Sequence, residues 1–455
     1  MENEGAPGSG EGNHPPVEGV REHVETIREV FSYLRQFRGK TFVVRIDCAV
    51  ISDPLFSVLV KDLSLMHEAG IRIAIAPGAR ERIDEILKTY EVPWQVVNGI
   101  RVAGEEAVPF IKMAAFDVSN RVMTMLSANG ITAVIGNWVR ARGIGVIDGV
   151  DYQCAGIVES VRVDTVRKVM DDGVIPIFPC IGWSSIGTPY NISSNELAVV
   201  VATTLGAEKL YFLTARDAYN AEGFVVPETV PVAPGGRLAN FSLPDLDSFF
   251  ALNPARSADI ELLQRARRAC VGGVERVHIL DGRDEGALLQ ETFSNLGSGT
   301  MVYSNRYGGI RPMHLKDVSD VLRIMQPFVE RGILLPRTEA QLERACQDFI
   351  VFEVDDSVHA CAALHEYGEG TAEIAGIAVD EQFLHLGVGP KLVDFLCERA
   401  QKKGLESVFA LTTQTADWFL KLGFAEADIA ALPEKKRLTY NMQRRSRIFV
   451  KRLGA

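Results

Sequence analysis

The sequence has no apolar run approaching the roughly 20 residues needed to span a bilayer, and no internal repeat. It is short of positive charge: 48 Lys and Arg stand against 59 Asp and Glu, a net charge of −11. That balance argues against a nucleic-acid partner and against electrostatic binding to anionic membranes. The seven cysteines (Cys48, Cys154, Cys180, Cys270, Cys346, Cys361, Cys397) are odd in number and scattered, with no C-x-x-C and no metal-ligand spacing. They read as reduced residues of apolar strands and helices in a cytoplasmic protein, and no metal is expected. The opening stretch MENEGAPGSGEGNHPPVEGV lacks the basic start and apolar centre of a secretory signal. Rich in Gly, Pro and Glu, residues 1–21 are expected to form a disordered tail.

What is present is ordinary globular composition, 47% hydrophobic and 24% charged, over 455 residues. A chain of that length should hold two or three domains, each burying its own core. An amphipathic helix is expected from about Glu22 to Phe37, its apolar face carrying Val24, Ile27, Val30, Phe31 and Leu34. Strand-like runs follow at 42–46, 71–76, 131–135, 174–178, 209–213 and 276–280, with helical patterns at 55–68, 80–90 and between most later strands. Such alternation predicts an α/β domain with a largely parallel sheet covered on both faces in three layers. Two helices are expected between Arg311 and Asp348, and a new set of strands from Phe349. The polar, glycine-containing Ser304–Gly309 reads as a linker. The expected division is therefore a first domain over 22–303, a linker over 304–310 and a second α/β domain over 311–455.

The most informative stretch is EIAGIAVDEQFLHLGVGPKLVDFLCERA, Glu373 to Ala400. Ile374 to Val379 has strand character, and Gly387-Val388-Gly389 opens a helix with Pro390 in its first turn. Leu392, Val393, Leu396 and Ala400 recur at helical spacing, and Gly404 closes the element. A strand feeding a glycine loop at a helix N-terminus holds phosphate well, because backbone N–H groups approach the anion and the helix dipole favours it. The same loop also serves as a plain packing turn, so both readings stand on spacing alone.

Taken with the second strand, Ser407 to Thr412, and the TADWFLKLGF that follows it, this order resembles the acyl-CoA-dependent acetyltransferases of the GNAT superfamily. The resemblance implies that the main-chain N–H groups of Ile377 and Val379 meet the acetyl carbonyl and the pantetheine amides. It also implies that Gly387, Val388 and Gly389 hold the pyrophosphate. Leu384 stands where that family usually has Arg or Gln. The first domain resembles the amino-acid kinase fold, in its acetylglutamate kinase-like branch, through RGKTFVVRI (38–46), HEAGIRIAIAPGAR (67–80), NISSNELA (191–198), AEKLYFLT (207–214) and GGVERVHILDGRDEGALLQETFSNLGSGTMV (272–302). Joined, the two are similar to the bacterial N-acetylglutamate synthases from about residue 22 onward.

That resemblance implies transfer of the acetyl group of acetyl-CoA to L-glutamate, the first step of arginine biosynthesis. Glu373 matches the proposed general base and Ser446 the proposed acid. Arg337, Lys436, Thr412 and one of Arg444 and Arg445 match substrate-binding positions. The basic C-terminal stretch carrying three of these is interleaved with Tyr440, Ile448 and Phe449, which predicts a structured final strand. Tyr33, Lys209, His278, Glu291 and the Gly297–Gly299 loop match positions that bind L-arginine as an effector, inhibitory in bacterial relatives. Glu291 has the chemistry to pair bidentately with a guanidinium. A kinase of this fold needs a lysine and glycines after its first strand; Arg45-Ile46-Asp47-Cys48 and Pro77-Gly78-Ala79-Arg80 stand there instead, which predicts binding without phosphoryl transfer. The family implies a homo-oligomer, a hexamer among its forms. Two other readings remain open: an acetyltransferase for another small acidic amine, and a non-catalytic arginine sensor.

Overall fold

The structure, a computed structural model, describes residues 33–256, 259–293, 297–304, 309–354, 357–368 and 370–453, together with positions 24, 27, 28, 30 and 31. The expected tail and residues 305–308 of the expected linker lie outside the described residues. What is described falls into two compact units: the first runs to Val230 and from Gly235 to Ser304, and the second holds Pro231–Pro234 and the residues after Ser304.

The first unit is built on eight strands: β1 (Thr41–Ile46), β2 (Arg72–Pro77), β3 (Ala133–Ile135), β4 (Ile175–Ile177), β5 (Lys209–Thr214), β6 (Asn240–Ser242), β7 (Arg276–Asp281) and β8 (Thr300–Tyr303). Their order is β6-β8-β7-β5-β1-β2-β4-β3. All neighbours are parallel except β7 and β8. The apolar runs are continuous because successive side chains enter opposite cores. Phe42, Val44, Ile46, Tyr211 and Leu213 pack into one cluster, and Val43, Leu210, Phe212 and Val277 into the other. Helices Phe56–Glu68, Val108–Ala128 and Ser194–Leu205 cover these faces.

Two features of this unit were not foreseen. Four short strands, Val139–Gly143, Ala155–Val161, Ile181–Trp183 and Pro189–Ile192, close into a small barrel. Pieces this short carry too few side chains to show a period. The N-terminal helix also departs from expectation. Val24, Ile27 and Phe31 are exposed, while Tyr33 and Phe37 are buried and Val30 and Leu34 only partly so. Among its described residues, only those of the last turns reach the core.

The second unit holds a seven-stranded sheet: β9 (Gly309–Pro312), β10 (Phe349–Val354), β11 (Ser357–Gly368), β12 (Thr371–Val379), β13 (Ser407–Thr412), β14 (Ala425–Ala427) and β15 (Arg447–Arg452). The order is β9-β10-β11-β12-β13-β15-β14, and only β12 and β13 run parallel. Gly309 and Ile310, expected in the linker, already pair with Glu353 and Phe352. Helix Val388–Lys402 packs Val388, Leu392, Val393, Leu396, Cys397 and Ala400 on one face of the sheet. Helix Val318–Glu330 packs Val318, Val321, Ile324 and Met325 on the other.

Leu396 is wholly removed from solvent at the centre of that first packing layer. Leu396→Ala is expected to lower the stability of the second unit by about 2–5 kcal/mol, the usual cost of such a cavity. Urea unfolding followed by circular dichroism checks this, and an unchanged midpoint would remove the helix from the core.

Candidate active site

The site in the second unit begins where two parallel strands part. β12 and β13 are in register at Thr371 with Ser407, Ala372 with Val408 and Glu373 with Phe409, and then no further. From Ile374 to Val379, and from Ala410 to Thr412, each strand keeps its outer neighbour, β11 and β15 respectively. The edges facing one another across the gap therefore offer ladder groups with no strand partner. On its outer side β12 carries one extra residue: Cys361 pairs with Ala378 and Ala363 with Ala375, so Gly376 and Ile377 oppose one residue. Gly376 sits at φ +62, a conformation glycine adopts without strain, and its bulge bends β12 away from β13.

The loop after β12 closes the cleft at one end. Gly387, at φ +62, is the N-cap of helix Val388–Lys402. A Cβ on Gly389 would lie 3.2 Å from Trp418 and 4.0 Å from Val379, so the helix opens between the ends of the two diverging elements. First-turn N–H groups of a helix have no intrahelical acceptor. Those of Val388 and Gly389 are thus placed for an anion, and Leu384 beside them is exposed.

Glu373, the last residue of β12 in register with β13, is 6% exposed. Its carboxylate accepts from Lys436 Nζ at 2.8 Å on one oxygen and 2.6 Å on the other, and from Tyr367 Oη at 2.9 Å. Lys436 Nζ also reaches Tyr367 Oη at 3.3 Å. Burial and the adjacent Glu373 charge raise the Tyr367 phenol well above its ordinary range, so it stays protonated and donates. Lys436, expected on a substrate carboxylate, is here the counter-ion of Glu373 itself. A buried carboxylate must be paired, and this ammonium is its partner.

The other expected residues are placed as follows. Arg337 is half-buried, its guanidinium 5.1 Å from the Phe349 ring and its Nη2 3.3 Å from His365 Nε2. The Thr412 hydroxyl, expected as a donor to substrate, accepts from the N–H groups of Gln414 and Thr415 and meets Thr415 Oγ1 at 2.8 Å, so it holds the turn after β13. Ser446 is half-buried at the start of β15, its carbonyl accepting from Tyr440 Oη at 2.6 Å. Arg444 donates to the carbonyls of Gly332 and Ile333, tying down the loop that leads to Arg337, while Arg445 is exposed at φ +51. Tyr367 and His365 were not singled out from sequence. They alternate on β11, whose His365 directly faces Glu373 across the ladder, so strand period was the signal that could have found them.

In the first unit two regions matter. At the carboxyl end of β1, where a kinase of this fold would cradle phosphoryl groups, side chains and main-chain N–H groups pair with one another. Arg45, 7% exposed, pairs with Asp47 at 3.0 Å and reaches Ser194 Oγ at 3.3 Å. The N–H of Asp47 is donated to the Leu213 carbonyl and that of Gly78 to the Ile46 carbonyl.

The second region joins the N-terminal helix, β5, β7 and helix Ala287–Phe293. Tyr33 stacks on Phe37 at 5.9 Å, and Lys209 Nζ lies 4.3 Å from the Phe37 ring. Tyr211 stacks on His278 at 4.8 Å and meets Thr292 Oγ1 at 2.9 Å. His278 Nδ1 donates to Glu291 Oε1 at 2.8 Å, and Gly299 N donates to Glu291 Oε2 at 3.1 Å. The Gly299 carbonyl accepts from Arg237 at 2.7 Å. A Cβ on Gly297 would stand 2.5 Å from Glu291 Oε2, and one on Gly299 2.3 Å from Leu280. Five of the six expected effector positions thus lie in one aromatic-lined cluster, and Gly297 borders it. Burial lowers the His278 pKa to about 4, so its ring is neutral with Nδ1 protonated. Burial would raise that of Glu291, but the His278 and Gly299 donors outweigh it and hold the carboxyl below its ordinary value. His278 Nε2 is left as a buried lone pair with no hydrogen-bond partner among the described residues.

Against known proteins, residues 40–281 match the amino acid kinase family, and 318–424 match the acetyltransferase (GNAT) family. Fold and cleft together define an acyltransferase of the GNAT type joined to an amino-acid kinase-like unit. The chain belongs to the amino-acid acetyltransferases: it is 32% identical over 444 residues to those of Salmonella typhimurium and Escherichia coli K12, covering 95% of this chain and 98% of each relative. It is similar along 95% of its length, with 31% identity and a TM-score of 0.80, to N-acetylglutamate synthase from Neisseria gonorrhoeae complexed with coenzyme A and L-arginine. A second structure of that enzyme, complexed with coenzyme A and N-acetyl-glutamate, matches with 33% identity and a TM-score of 0.59.

The buried His278–Glu291 pair generates a pH prediction. His278 takes up a proton near pH 6.5 when unfolded but only near 4 when folded, and Glu291 is likewise depressed. The unfolded chain therefore binds more protons across that window, and stability falls as pH falls. The first unit should lose on the order of 3 kcal/mol between those limits. Thermal unfolding against pH checks it, and His278→Gln should flatten the slope.

Proposed function

We propose that this chain acetylates the amino group of L-glutamate with acetyl-CoA, giving N-acetyl-L-glutamate and CoA, and that L-arginine inhibits it through the cluster around His278 and Glu291. Residues 311–455 form the catalytic domain and 22–303 a regulatory one that binds without phosphorylating. The observation that carries the transferase reading is Glu373, a buried carboxylate on the last paired residue before β12 and β13 part.

The cleft suits an extended amide-bearing chain. Pantetheine amides complete the ladder along Ile377 and Val379, and the pyrophosphate rests on Gly387, Val388 and Gly389 at the helix N-terminus. Glu373 faces the side of the sheet away from helix Val388–Lys402, since its neighbours Ala372 and Ile374 pack with that helix. The thioester carbonyl thus arrives from the helix side and the amine from the other. Glutamate enters as an ammonium ion, so Glu373 must take a proton before the nitrogen attacks. Lys436 occupies that carboxylate, and a substrate carboxylate gives its ammonium another partner, freeing the base. The carbon–nitrogen bond forms as the oxyanion is held by a β12 N–H, the carbon–sulfur bond then breaks, Ser446 or water protonates the thiolate, and the second proton of the nitrogen passes to that same group as the amide forms. Arg337, with Arg444 or Arg445 and Thr412 bordering the site, fixes the substrate carboxylates.

For the effector, a guanidinium supplies what the cluster lacks. It brings N–H donors for the buried Nε2 lone pair of His278 and a positive charge for Glu291, while Tyr33, Lys209, Gly297 and Gly299 frame the pocket. The Arg45–Asp47 pair and the committed N–H groups of Asp47 and Gly78 support binding without phosphoryl transfer. We place the enzyme in the cytoplasm as a homo-oligomer, a hexamer by family likeness.

Release of CoA from acetyl-CoA should depend on L-glutamate and fall when L-arginine is added. Release with aspartate or a polyamine but not glutamate would replace the substrate, and acetyl-CoA binding without release would make the chain a sensor. Glu373→Gln should lower kcat by about 10²–10⁴ with acetyl-CoA affinity by calorimetry unchanged. Unaltered turnover would remove Glu373 from proton transfer.

A further inference from the structure

Arg337 does not stand alone. His365 Nε2 lies 3.3 Å from its Nη2, and His365 Nδ1 lies 2.8 Å from Asp348 Oδ2. A guanidinium only donates, so Nε2 must be the acceptor and carries no proton, while Nδ1–H is given to the Asp348 carboxylate. The tautomer is set by its two neighbours. The guanidinium also rests against the fully buried Phe349 ring at 5.1 Å, and that ring meets His365 edge-on at 6.1 Å. A Cβ at Gly376 would come within 3.5 Å of Phe349 and 3.9 Å of Arg337 Nη2. Both are ordinary van der Waals contacts, so glycine is needed there for its φ of +62 and not for space beside the guanidinium. Across the ladder His365 pairs with Glu373, so the supports of the clamp and of the base are adjacent on one face of the β11–β12 hairpin.

We propose that His365 is a positioning residue for Arg337: held by Asp348 in the Nδ1–H form, it fixes the guanidinium so that its other N–H donors meet the side-chain carboxylate of a dicarboxylic amino acid. This rests on Arg337 pairing with substrate, the reading given above. An arginine on a flexible stem loses rotamer freedom when it binds, and prior fixing by Phe349, His365 and Asp348 removes that cost before the substrate arrives. Selection follows, because an amino acid lacking the distal carboxylate leaves an oriented, partly buried cation unpaired.

The test has a kinetic and a spectroscopic arm. His365→Ala should raise the KM for glutamate roughly five- to tenfold, with kcat and the KM for acetyl-CoA within about twofold. His365→Gln, whose amide oxygen stands in for Nε2 as acceptor, should recover most of the loss. In an Arg337→Ala background, His365→Ala should add little. Long-range proton–nitrogen spectra of the unliganded protein should show His365 protonated on Nδ1 and bare on Nε2. A proton on Nε2, a Gln variant no better than Ala, or an equal loss for acetyl-CoA overturns the proposal. If the unaltered enzyme turns over without regard to glutamate, the substrate reading fails instead, and the tautomer still decides whether His365 orients Arg337.

Discussion

The constraint on which the second unit depends is that two parallel strands may not simply part. A ladder that ends early leaves N–H and C=O groups without partners, and their loss from water without replacement costs free energy. Here the parting follows Glu373 and Phe409 and is stabilised from behind: the Gly376 bulge lets β12 bend while it keeps β11, and β15 keeps β13. What remains unsatisfied faces a cleft rather than the core. In the function proposed above, a ligand of amide character completes the ladder and meets the helix N-terminus at Gly387. The proposed positions of base, clamp and loop all follow from this one divergence.

The base illustrates a second constraint. A carboxylate 6% exposed needs a counter-ion, yet a base needs a free lone pair. Lys436 and Tyr367 meet the first need and obstruct the second, which is why the proposed mechanism joins substrate binding and base activation in one event. Arg337 is arranged in the opposite sense. Its neighbours His365 and Phe349 contact the cation without neutralising it, and in the proposed reading its charge is left for the incoming molecule.

In the first unit the crevice at the end of β1 is closed to a phosphoryl group, while a second polar cluster is buried around β5 and β7. At the end of β1, an arginine–aspartate pair and two committed amides occupy the space where a phosphoryl group would need donors. Around β5 and β7, a neutral histidine and an ionised glutamate are buried together, with one lone pair left over. Deep burial of such a pair is costly unless something completes it, which is the physical argument behind the guanidinium proposed above.

The sequence determined much of this by local pattern. Strand runs separated by helical periods placed the parallel sheet, because a strand buried on both faces must be apolar throughout. The glycine loop after Val379 marked a helix N-terminus, and the replacement of Gly by Asp47 and Cys48 marked the changed kinase crevice. It also placed Val24, Ile27 and Phe31 on the apolar face of the first helix, where the structure leaves them exposed, since amphipathicity says which side of a helix is apolar but not how far the core extends. Only the tertiary structure decided that Lys436 lies on Glu373 and that Asp348, His365 and Arg337 form a chain. Those pairings join residues 17 to 63 positions apart, and distance in sequence leaves no periodic trace. They exist because β-sheet register and a bulge bring side chains to one face, and register is settled by the packing of the whole sheet.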